Sequence, residues 1–345
     1  MDCDTADINP FLLWLASAKT ANYSRQEIEA AKNGAEQITV ALRNRNGKTA
    51  SWYPPLFNIE KWWDGPILER LGKIRSMIED QATQLGPQAT TLLKVSFCRV
   101  VIELANVSFG HQSMSFKKPQ TQMVLQILTD ATETVADKWL ETTNSILQAA
   151  QTHIQTKPNC LPCDARSLTD TFARASFDCV ITSPPYPNRM SYIRELRPYM
   201  YWLGYLYDAR QAGELDWKAI GGTWGCATSN LNAWQAPESG IPFSEFGSIL
   251  ARISKSSGLL SRYVHKYFCD MAVHVRELFE VVKPGGTVHY IVGNSKFYDV
   301  LLPVEQIFTC LFEHAGFVDA NYTVVRKRTS KKELFEYDVT ATKPL

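Results

Sequence analysis

The chain has 345 residues, of which 45% are hydrophobic and 21% are charged, and its formal net charge is +1. This composition is typical of a folded globular protein, and the length suits one large domain or two modest ones. The near-zero charge excludes a uniformly basic protein, so binding of nucleic acid would depend on local basic clusters. No apolar run reaches the roughly 18 residues that a membrane-spanning helix needs, so we expect no membrane contact.

The first 155 residues combine one short strand with a series of helices. Residues 3–8 are a strand candidate, and the apolar spacing from Phe11 to Ala21 predicts a helix. Further helical patterns cover residues 25–45, 64–85, 92–105 and 121–151. Because almost nothing between 25 and 155 predicts a strand, we interpret residues 1–24 as the start of an α/β core and residues 25–155 as a helical insertion.

From residue 156 onward, strands and helices alternate. We predict strands at 158–164, 177–182, 287–292, 318–327 and 334–342, and helices at 192–208, 262–282 and 303–315. Residues 212–245 are predicted as loops, and Lys283-Pro284-Gly285-Gly286 as a helix stop. We divide this half into core strands (156–186), a helical and loop region (187–261) and the second half of the core (262–345). The fold class is therefore α/β with a doubly wound sheet.

The eight cysteines show no disulfide-framework spacing, which favours a reducing compartment. Residues Met1 to Asp4 are acidic and lack a signal-peptide pattern, so we expect a cytoplasmic protein. Cys160 and Cys163 have the spacing of one half of a zinc site, but structural zinc needs four ligands and no suitable second pair follows. We expect no bound metal and interpret Cys163 as a packing residue.

The most informative motif is Ser183-Pro184-Pro185-Tyr186, which follows an apolar run. Two prolines end the strand in a stiff extended turn, at the carboxyl end of a strand where α/β sheets bind ligands. Ser183 and Pro184 can accept hydrogen bonds from an exocyclic amine, and Tyr186 can stack on a base outside a duplex. A stiff turn with a core tyrosine is the alternative.

Two aspartates end predicted strands on either side of the helical insertion. Asp7-Ile8-Asn9-Pro10 closes the first strand, and an acidic residue at this position of a Rossmann-like sheet accepts ribose hydroxyls. Capping of the following helix is an equally simple role for these residues. Asp164 ends a later strand and precedes Ala165, where a plain Asx turn is the alternative.

Together these motifs resemble the bacterial amino-group DNA methyltransferases, in the Ser-Pro-Pro-Tyr variant usual for the N4 amine of cytosine. Segments 109–116, 221–225 and 326–334 are similar to the same family. The resemblance implies a Rossmann-like S-adenosylmethionine-dependent methyltransferase sheet from a restriction-modification or defence system. It implies catalysis by Ser183, Pro184, Pro185 and Tyr186, and cofactor binding by Asp7, Asn9, Pro10, Asp164 and Ala165. Adenine-N6 methylation and a non-catalytic DNA-binding subunit are the alternatives.

The glycine loop that this family places after its first strand is absent from the sequence. Gly221-Gly222 is predicted to precede no helix, and Gly285-Gly286 precedes a strand, so neither replaces that loop. The chain thus begins at what should be the second strand of the sheet. A truncated sequence, an inactive remnant and a split enzyme each explain this, and we favour a second polypeptide that supplies the first strand and the loop.

The resemblance implies double-stranded DNA with a flipped target base as the substrate. Region 187–261 would serve target recognition, and its candidates for DNA contact are Asn188, Arg189, Tyr192, Arg194 and Arg197. An ordinary surface helix is the alternative. A second group of candidates lies between two predicted strands and comprises Arg326, Arg328, Lys331 and Lys332. For this group, the alternative to phosphate contact is a solvated surface without a binding role.

Overall fold

The structure is a computed structural model that describes residues 2–44, 51–108, 115–117, 121–187, 191–222, 226–238, 240–328 and 333–345. These residues form two compact units, each of which the chain enters more than once. The first unit comprises Met1–Thr5, Asn9–Cys160 and Glu195–Ala212. The second comprises Ala6–Ile8, Leu161–Arg194 and Gly213–Leu345, and it contains the Ser-Pro-Pro-Tyr motif.

Helices dominate the first unit. They are α1 (Pro10–Lys19), α2 (Arg25–Arg43), α3 (Gly65–Leu85), α4 (Pro87–Glu103) and α5 (Thr121–Ala149). A short antiparallel pair, β2 (Val107–Ser108) and β3 (Ser115–Phe116), lies between α4 and α5 in the chain. Among the described helices, none combines the length and the apolarity required to cross a membrane.

The first helices begin where the sequence supplies caps. The Asn9 side chain accepts a hydrogen bond from the Phe11 amide at 3.0 Å, and Pro10 occupies the first position of α1. Ser24 and Glu27 form a reciprocal capping box at the start of α2. Asn9 and Pro10 thus have the helix-starting role that the sequence left open as an alternative.

The core of the first unit is rich in tryptophan. Trp62, Trp63, Trp139 and Trp202 are buried. The Trp202 ring meets the Trp63 ring edge to face, with centroids 5.7 Å apart, and the indole N–H of Trp139 donates to the Ala35 carbonyl at 3.1 Å. Large buried rings contribute much of the apolar surface that stabilises a helical core.

A four-stranded mixed sheet organises the second unit. Its order is β5 (Phe177–Thr182), β6 (Val282–Gly293), β10 (Phe335–Thr342) and β9 (Val318–Lys327). Strands β5 and β6 run parallel, whereas β10 is antiparallel to both β6 and β9. Val288, Tyr290 and Val292 alternate along β6 and are buried, as expected for a strand with one face in the core.

Helices and a short hairpin complete the second unit. They are α8 (Cys226–Ala233), α9 (Phe246–Ser254), α10 (Gly258–Val281), the pair β7 (Ser295–Phe297) and β8 (Val300–Leu302), and α11 (Val304–Ala315). Helices α6 (Tyr192–Trp202) and α7 (Ala209–Lys218) contribute residues to both units. Phe268 of α10 and Phe308 of α11 belong to one buried cluster with Val288 of the sheet.

A separate strand pair ends at or near the two predicted aspartates. Strand β1 (Asp4–Asp7) pairs with β4 (Asn159–Pro162). Asp7 is the last residue of β1, whereas Asp164 follows β4 by two positions, so the strand predicted to end at Asp164 is shorter. The Asn159 amide donates to the Cys3 carbonyl at 3.0 Å, and the Cys163 amide donates to the Asp7 carbonyl at 3.2 Å. Because both partners advance in the same direction between these bonds, the two strands run parallel. Their carboxyl ends bring Asp7 next to Cys163.

The mixture of strands and helices confirms the α/β class. The Rossmann-like arrangement with an absent first strand and the five domain limits stay predictions. The loop prediction for 212–245 is wrong, because α7 continues to Lys218 and α8 covers Cys226–Ala233. The prediction that no helix follows Gly221-Gly222 is also wrong, because α8 begins at Cys226. The segment before this glycine pair is helix α7 and not a strand.

The predicted end of a helix at Lys283-Pro284-Gly285-Gly286 is confirmed, but the expectation that the strand begins only at Thr287 is wrong. Helix α10 ends at Val281, and these four residues already belong to β6. The Gly285 amide donates to the Lys343 carbonyl at 2.9 Å, and the Lys343 amide donates to the Gly286 carbonyl at 2.9 Å. The residues after β10 thus continue the sheet pairing, and sequence signals near Gly285 do not reveal this distant partner.

Candidate active site

The Ser-Pro-Pro-Tyr motif leaves the sheet at the carboxyl end of β5. Thr182 pairs with Tyr290 of β6 and is the last strand residue. Proline cannot donate a backbone hydrogen bond, so Pro184 and Pro185 end the ladder at this point. Ser183 is exposed and Pro184 is buried, so the motif presents a hydroxyl from a fixed backbone.

The hydroxyl of Ser183 has a defined orientation. Its Oγ donates to the Ile291 carbonyl of β6 at 3.1 Å. A hydroxyl has one proton and two lone pairs, and here the proton is committed to the carbonyl. Ser183 also hydrogen bonds with the Tyr186 side chain. The exposed Ser183 oxygen still has lone-pair capacity to accept a hydrogen bond from a ligand.

Helix α10 fixes the backbone of the motif. The Tyr267 hydroxyl donates to the Pro185 carbonyl at 2.7 Å, and Tyr267 is fully buried. Burial raises the pKa of Tyr267 well above its ordinary value, so the phenol stays protonated and keeps its role as donor. The position of Pro185 is thereby tied to the hydrophobic core.

The Tyr186 ring packs against glycine and arginine. The guanidinium carbon of Arg328 lies 5.6 Å from the ring centre, which is a cation–π contact. A Cβ atom at Gly293 would lie 3.0 Å from Tyr186 Cε2, so only glycine fits beside the ring as it stands. Glu336 interacts with the Tyr186 hydroxyl, and hydrogen bonding from Arg326 lowers the pKa of Glu336. Burial raises the pKa of Tyr186, so this ring remains neutral.

Residues Cys163–Asp170, the Asp164 loop, follow β4. The Asp164 carboxylate accepts hydrogen bonds from the Arg166 amide at 2.9 Å and from its guanidinium at 3.0 and 2.7 Å. Burial alone would raise the pKa of Asp164, but these hydrogen bonds outweigh it and lower the pKa. The carboxylate is ionised at neutral pH and has further lone pairs for a ligand hydroxyl or amine.

One face of α10 anchors the Asp164 loop through charged side chains. Asp270 and Glu277 lie seven positions apart and therefore on the same helix face. Asp270 accepts a hydrogen bond from Arg166 Nη1 at 3.2 Å and pairs with Lys266 at 2.5 Å. Glu277 accepts hydrogen bonds from the amide and the hydroxyl of Thr169 at 3.0 and 2.7 Å.

His274, on the same face of α10, connects the Asp164 loop to the sheet. Its Nδ1 lies 2.7 Å from the Ala165 carbonyl, and its Nε2 lies 2.5 Å from the Tyr290 hydroxyl. Because a carbonyl can only accept, Nδ1 carries the proton and Tyr290 donates to Nε2. Burial lowers the pKa of His274, which favours this neutral form. Tyr290 pairs with Thr182, the residue before Ser183. The two contacts of His274 therefore connect Ala165 to the strand end that precedes the motif.

The predicted cofactor residues fall into two groups. Asp7, Asp164 and Ala165 lie at neighbouring strand ends of the second unit, joined by the bond from the Cys163 amide to the Asp7 carbonyl. Asn9 and Pro10 belong to the first unit, where they begin α1. The structure thus brings the backbone of Asp7 next to the residue before Asp164, and it gives Asn9 and Pro10 a structural role.

The predicted DNA-binding residues are described only in part. Four of them lie outside the described residues: Asn188, Arg189, Lys331 and Lys332. Tyr192 is partly exposed at the start of α6, and the Arg194 amide donates to Ser191 Oγ at 3.1 Å. Arg197 packs over the Trp62 ring at 5.0 Å within the first unit. Of the second group, Arg326 and Arg328 lie at the end of β9, close to Tyr186 as described above.

Sequence reasoning missed four residues that shape this site: Tyr267, His274, Gly293 and Glu336. Gly293 had a local signal, because it ends a β-branched strand near the predicted core. Tyr267 and His274 lie seven positions apart on one face of a predicted helix, but nothing in that pattern names their distant partners. Glu336 carried no signal beyond its place in an alternating strand.

No group of metal-binding side chains occurs within the residues that the structure describes. Cys163 is buried, and its Sγ lies 3.3 Å from the Asp164 carbonyl. Burial raises the pKa of Cys163, so the thiol is protonated and packs within the Asp164 loop.

Comparison with known sequences shows similarity to Type II methyltransferases, although no family model matches the chain. The chain is 28% identical over 155 residues to Type II methyltransferase M.AvaI of Nostoc sp. (strain PCC 7120), covering 42% of this chain and 32% of that protein. It is 22% identical over 306 residues to Type II methyltransferase M.BsoBI of Geobacillus stearothermophilus, covering 75% of this chain and 59% of that protein. The chain thus spans less than two thirds of each of these relatives.

Among solved structures, the chain is similar to a protein of Thermus thermophilus assigned as a DNA modification methylase. In its complex with S-adenosyl-L-methionine, that protein is 19% identical with a TM-score of 0.28, and the match covers 53% of this chain and 51% of that chain. A second structure of the same protein gives a TM-score of 0.27 at 17% identity. These scores are too low to carry an argument about the fold.

Proposed function

We propose that this chain is a subunit of a DNA methyltransferase that transfers a methyl group from S-adenosylmethionine to the N4 amine of cytosine. The observation that carries the proposal is the exposed Ser183 hydroxyl, which the Ile291 carbonyl holds as an acceptor beside the ring of Tyr186. The sequence similarity to Type II methyltransferases supports methyltransferase activity, and we place the chain in a restriction-modification or defence system on that basis.

Ser183 and Pro184 activate the amine in this proposal. The exocyclic amine of a base is a weak nucleophile, because its lone pair is delocalised into the ring. Acceptors placed around its hydrogens localise that lone pair and stabilise the positive charge that develops on nitrogen. The Ser183 oxygen and the Pro184 carbonyl supply two such acceptors at adjacent positions. Neither group has to ionise for this role.

Tyr186 receives the target base. An amine inside a duplex is out of reach, so the base must leave the stack. Tyr186 then offers a stacking surface worth about 1–3 kcal/mol per base. Arg328, which lies over the Tyr186 ring, adds a positive charge where the phosphate of the extruded nucleotide would pass.

S-adenosylmethionine, when bound, supplies an electrophilic methyl group. Asp7 and the ionised Asp164 fit its adenosine half, because two carboxylates lie at neighbouring strand ends. We assign the ribose hydroxyls to Asp7 and the adenine amine to Asp164 with Ala165, while Asn9 and Pro10 set the backbone after Asp7. Among the described residues, no glycine-rich turn joins a strand to a helix, so nothing there fits the methionine half. We therefore propose that a second polypeptide supplies that loop.

The remaining assignments follow the same reading of the sequence. We propose that residues 187–261 recognise the DNA target and that residues 25–155 form a helical insertion into a Rossmann-like core. Asn188, Arg189, Tyr192, Arg194, Arg326, Lys331 and Lys332 stay candidates for DNA contact. The seven cysteines whose side chains the structure describes are free thiols, and we propose a reducing cytoplasm as the location.

The test is methyl transfer from labelled S-adenosylmethionine to DNA, by the chain with and without the product of the adjacent upstream reading frame. Digestion to nucleosides should yield N4-methylcytosine, whereas methyladenine alone would favour the adenine-N6 alternative. Ser183→Ala should lower the transfer rate by about 10²–10³-fold, and Tyr186→Ala should also impair it. Ser248→Ala is the matched control, because that hydroxyl also donates to a backbone carbonyl but lies on α9.

A non-catalytic DNA-binding subunit is the second candidate, and the missing glycine loop favours it. In that case DNA binding would persist without methyl transfer in either preparation. Ser183→Ala and Tyr186→Ala would then leave DNA affinity unchanged, and methyl transfer would be absent from the variants and the unmodified protein alike.

A further inference from the structure

A row of three residues crosses the sheet beside the Ser-Pro-Pro-Tyr motif. Gly293 of β6 is opposite Glu336 of β10, and Glu336 is in turn opposite Arg326 of β9. Residues directly opposite each other in antiparallel strands project from the same face of the sheet. The Tyr186 ring covers Gly293, because a Cβ atom there would lie 3.0 Å from Tyr186 Cε2. The phenol therefore lies beside the Glu336 carboxylate.

Hydrogen bonds connect this carboxylate to Ser183 through the phenol. The Tyr186 hydroxyl hydrogen bonds with Glu336 and also with Ser183. A carboxylate can only accept, so Tyr186 donates its proton to Glu336, and its oxygen is left to accept from Ser183. The Ser183 hydroxyl donates to the Ile291 carbonyl at 3.1 Å, and rotation about the Cβ–Oγ bond directs its proton to Tyr186 instead. The three side chains thus form a chain of donors that ends at Glu336.

The end of this chain is a charged group that is largely shielded from water. Arg326 donates to Glu336 from Nε and, at 3.1 Å, from Nη2. Hydrogen bonding from Arg326 lowers the pKa of Glu336, burial opposes this effect, and the charge of Arg328 and the Tyr186 hydroxyl add to the lowering. Only 13% of the Glu336 side chain is accessible, against 71% of the Arg326 side chain. Glu336 is therefore an ionised carboxylate whose outer side meets an exposed guanidinium.

Methylation of an amine leaves a proton that has to be removed. In the proposed reaction the N4 lone pair forms the new N–C bond, and the electron pair of the breaking C–S bond returns to sulfur. The nitrogen then carries a positive charge and one proton more than the neutral product. Ser183 and Pro184 stabilise that charge as acceptors, but a hydroxyl and an amide carbonyl are too weakly basic to keep the proton.

We infer that Glu336 is the proton acceptor of the reaction and that Ser183 and Tyr186 relay the proton to it. The proton of the amine passes to Ser183 Oγ, the Ser183 proton to the Tyr186 oxygen, and the Tyr186 proton to the Glu336 carboxylate. Both hydroxyls end neutral, and the carboxylate becomes a carboxylic acid that later releases the proton to water. This inference rests on the proposed function, and it adds the destination of the proton.

Two conservative variants interrupt the relay at different points. Tyr186→Phe keeps the ring that stacks on the base but removes the hydroxyl. Glu336→Gln keeps an acceptor for the Tyr186 hydroxyl but removes the negative charge. Each should lower the single-turnover rate of methyl transfer by about 100-fold, which is the lower end of the range for general-base catalysis, with unchanged DNA affinity. The double variant should lose no more than either single variant, because both interrupt one chain.

The measurement uses saturating DNA and the preparation that transfers methyl groups, with or without the product of the adjacent upstream reading frame. Asp338→Asn is the matched control. Asp338 lies two positions beyond Glu336 on the same face of β10, but its carboxylate lies 3.1 Å from His289 Nδ1. This variant should keep the full rate, and circular dichroism checks that all variants fold.

The pH profile separates a proton acceptor from a merely structural ion pair. Glu336 has to be ionised to accept, so the rate should fall as the pH drops through its pKa. Arg326→Gln removes the largest cause of the lowered pKa, and the acid limb should therefore move toward higher pH. Glu336→Gln should lack this limb. If the pair only holds the phenol in place, Arg326→Gln should lower the rate equally at every pH.

Four outcomes would overturn the relay. A full transfer rate in Tyr186→Phe or in Glu336→Gln would exclude it while leaving the proposed function intact. Losses that multiply in the double variant would show that the two groups act separately. An acid limb that does not move in Arg326→Gln would exclude Glu336 as the acceptor. Absence of methyl transfer from the unmodified protein in both preparations would overturn the proposed function and the relay with it.

Discussion

The Ser-Pro-Pro-Tyr motif and the Asp164 loop are the two parts of the proposed site, and different kinds of interaction hold them in place. The motif is stiffened by two prolines and by neutral hydroxyls that donate to the carbonyls of Ile291 and Pro185. The loop is held by charged groups of α10, above all Asp270 and Glu277. Neutral hydrogen bonds do not titrate near pH 7, whereas charged networks respond to pH and to single charge changes.

This difference separates two kinds of sensitivity. The motif depends on shape, because its acceptors act without ionising and its ring fits closely against its neighbours. The loop depends on charge, because its carboxylate is oriented by a guanidinium that other charges hold. A change of volume should therefore damage the motif, and a change of charge should damage the loop.

Among changes to the residues that support the motif and the loop, the largest effect is expected from Gly293→Ala. The added Cβ would lie 3.0 Å from Tyr186 Cε2 and 3.2 Å from Arg328 Nη1, so the ring has to move. A displaced stacking surface should lower methyl transfer by about 10–100-fold, since misplacement by about 1 Å has that scale of effect. Steady-state rates with DNA and S-adenosylmethionine measure it.

Gly247→Ala serves as the control for that substitution, because a Cβ there meets nothing within 4 Å. Both variants should bind S-adenosylhomocysteine as the unmodified protein does. A Gly293→Ala protein with unchanged transfer would show that the Tyr186 ring is not held by shape.

A smaller effect is expected from Asp270→Asn, which removes the charge that holds Arg166 and Lys266. Arg166 should then orient the Asp164 carboxylate less well, and binding of S-adenosylhomocysteine should weaken by about tenfold. Calorimetry measures the affinity, and hydrogen exchange of residues 163–170 should become faster. Asp178→Asn, which breaks only a surface pair with Lys283, should change neither quantity.

The smallest effect concerns the pH dependence of stability through His274. Its pKa is lowered from 6.5 by burial, partly opposed by the Ala165 carbonyl and by the charges of Asp164 and Glu277. Below about pH 6.5 the unfolded state binds more protons, so the free energy of unfolding falls as the pH drops toward the folded-state pKa. The stabilisation is fully present above pH 6.5.

His274→Gln should lower the stability at pH 7.5, because the bonds to Ala165 and Tyr290 are altered, but should reduce its further loss between pH 7.5 and 5.5. Urea unfolding at both pH values gives the free energy of unfolding, and its change between them is the pH slope of each protein. His314→Gln, on the exposed surface of α11, should keep the original slope. Equal slopes for all three proteins would exclude His274 as the source.

Much of the fold could be predicted from sequence, because its signals are local. The alternation of apolar residues predicted β9 and β10, and the apolar run before Ser183 predicted β5 with its correct ends. The helices of the first unit followed from their amphipathic spacing. Strand β6 was predicted too short, since its first residues pair through Lys343, far along the chain.

The candidate site could be predicted only where one residue type carries the chemistry. Ser183, Tyr186 and Asp164 could be proposed because they follow strands and suit a ligand. His274 and Tyr267 could not, because their roles consist of contacts with carbonyls about 80 to 110 positions away. Long-range contacts of this kind leave no trace in local periodicity.

Helix α10 contacts both halves of the site. Tyr267 donates to Pro185, and His274 holds Ala165. Its other face is buried in the hydrophobic cluster of the second unit. Amides that depend on one such element open together as a cooperative unit. The Ser-Pro-Pro-Tyr motif and the Asp164 loop should consequently share one opening free energy, set by α10, and lose their order in a single step under native-state hydrogen exchange.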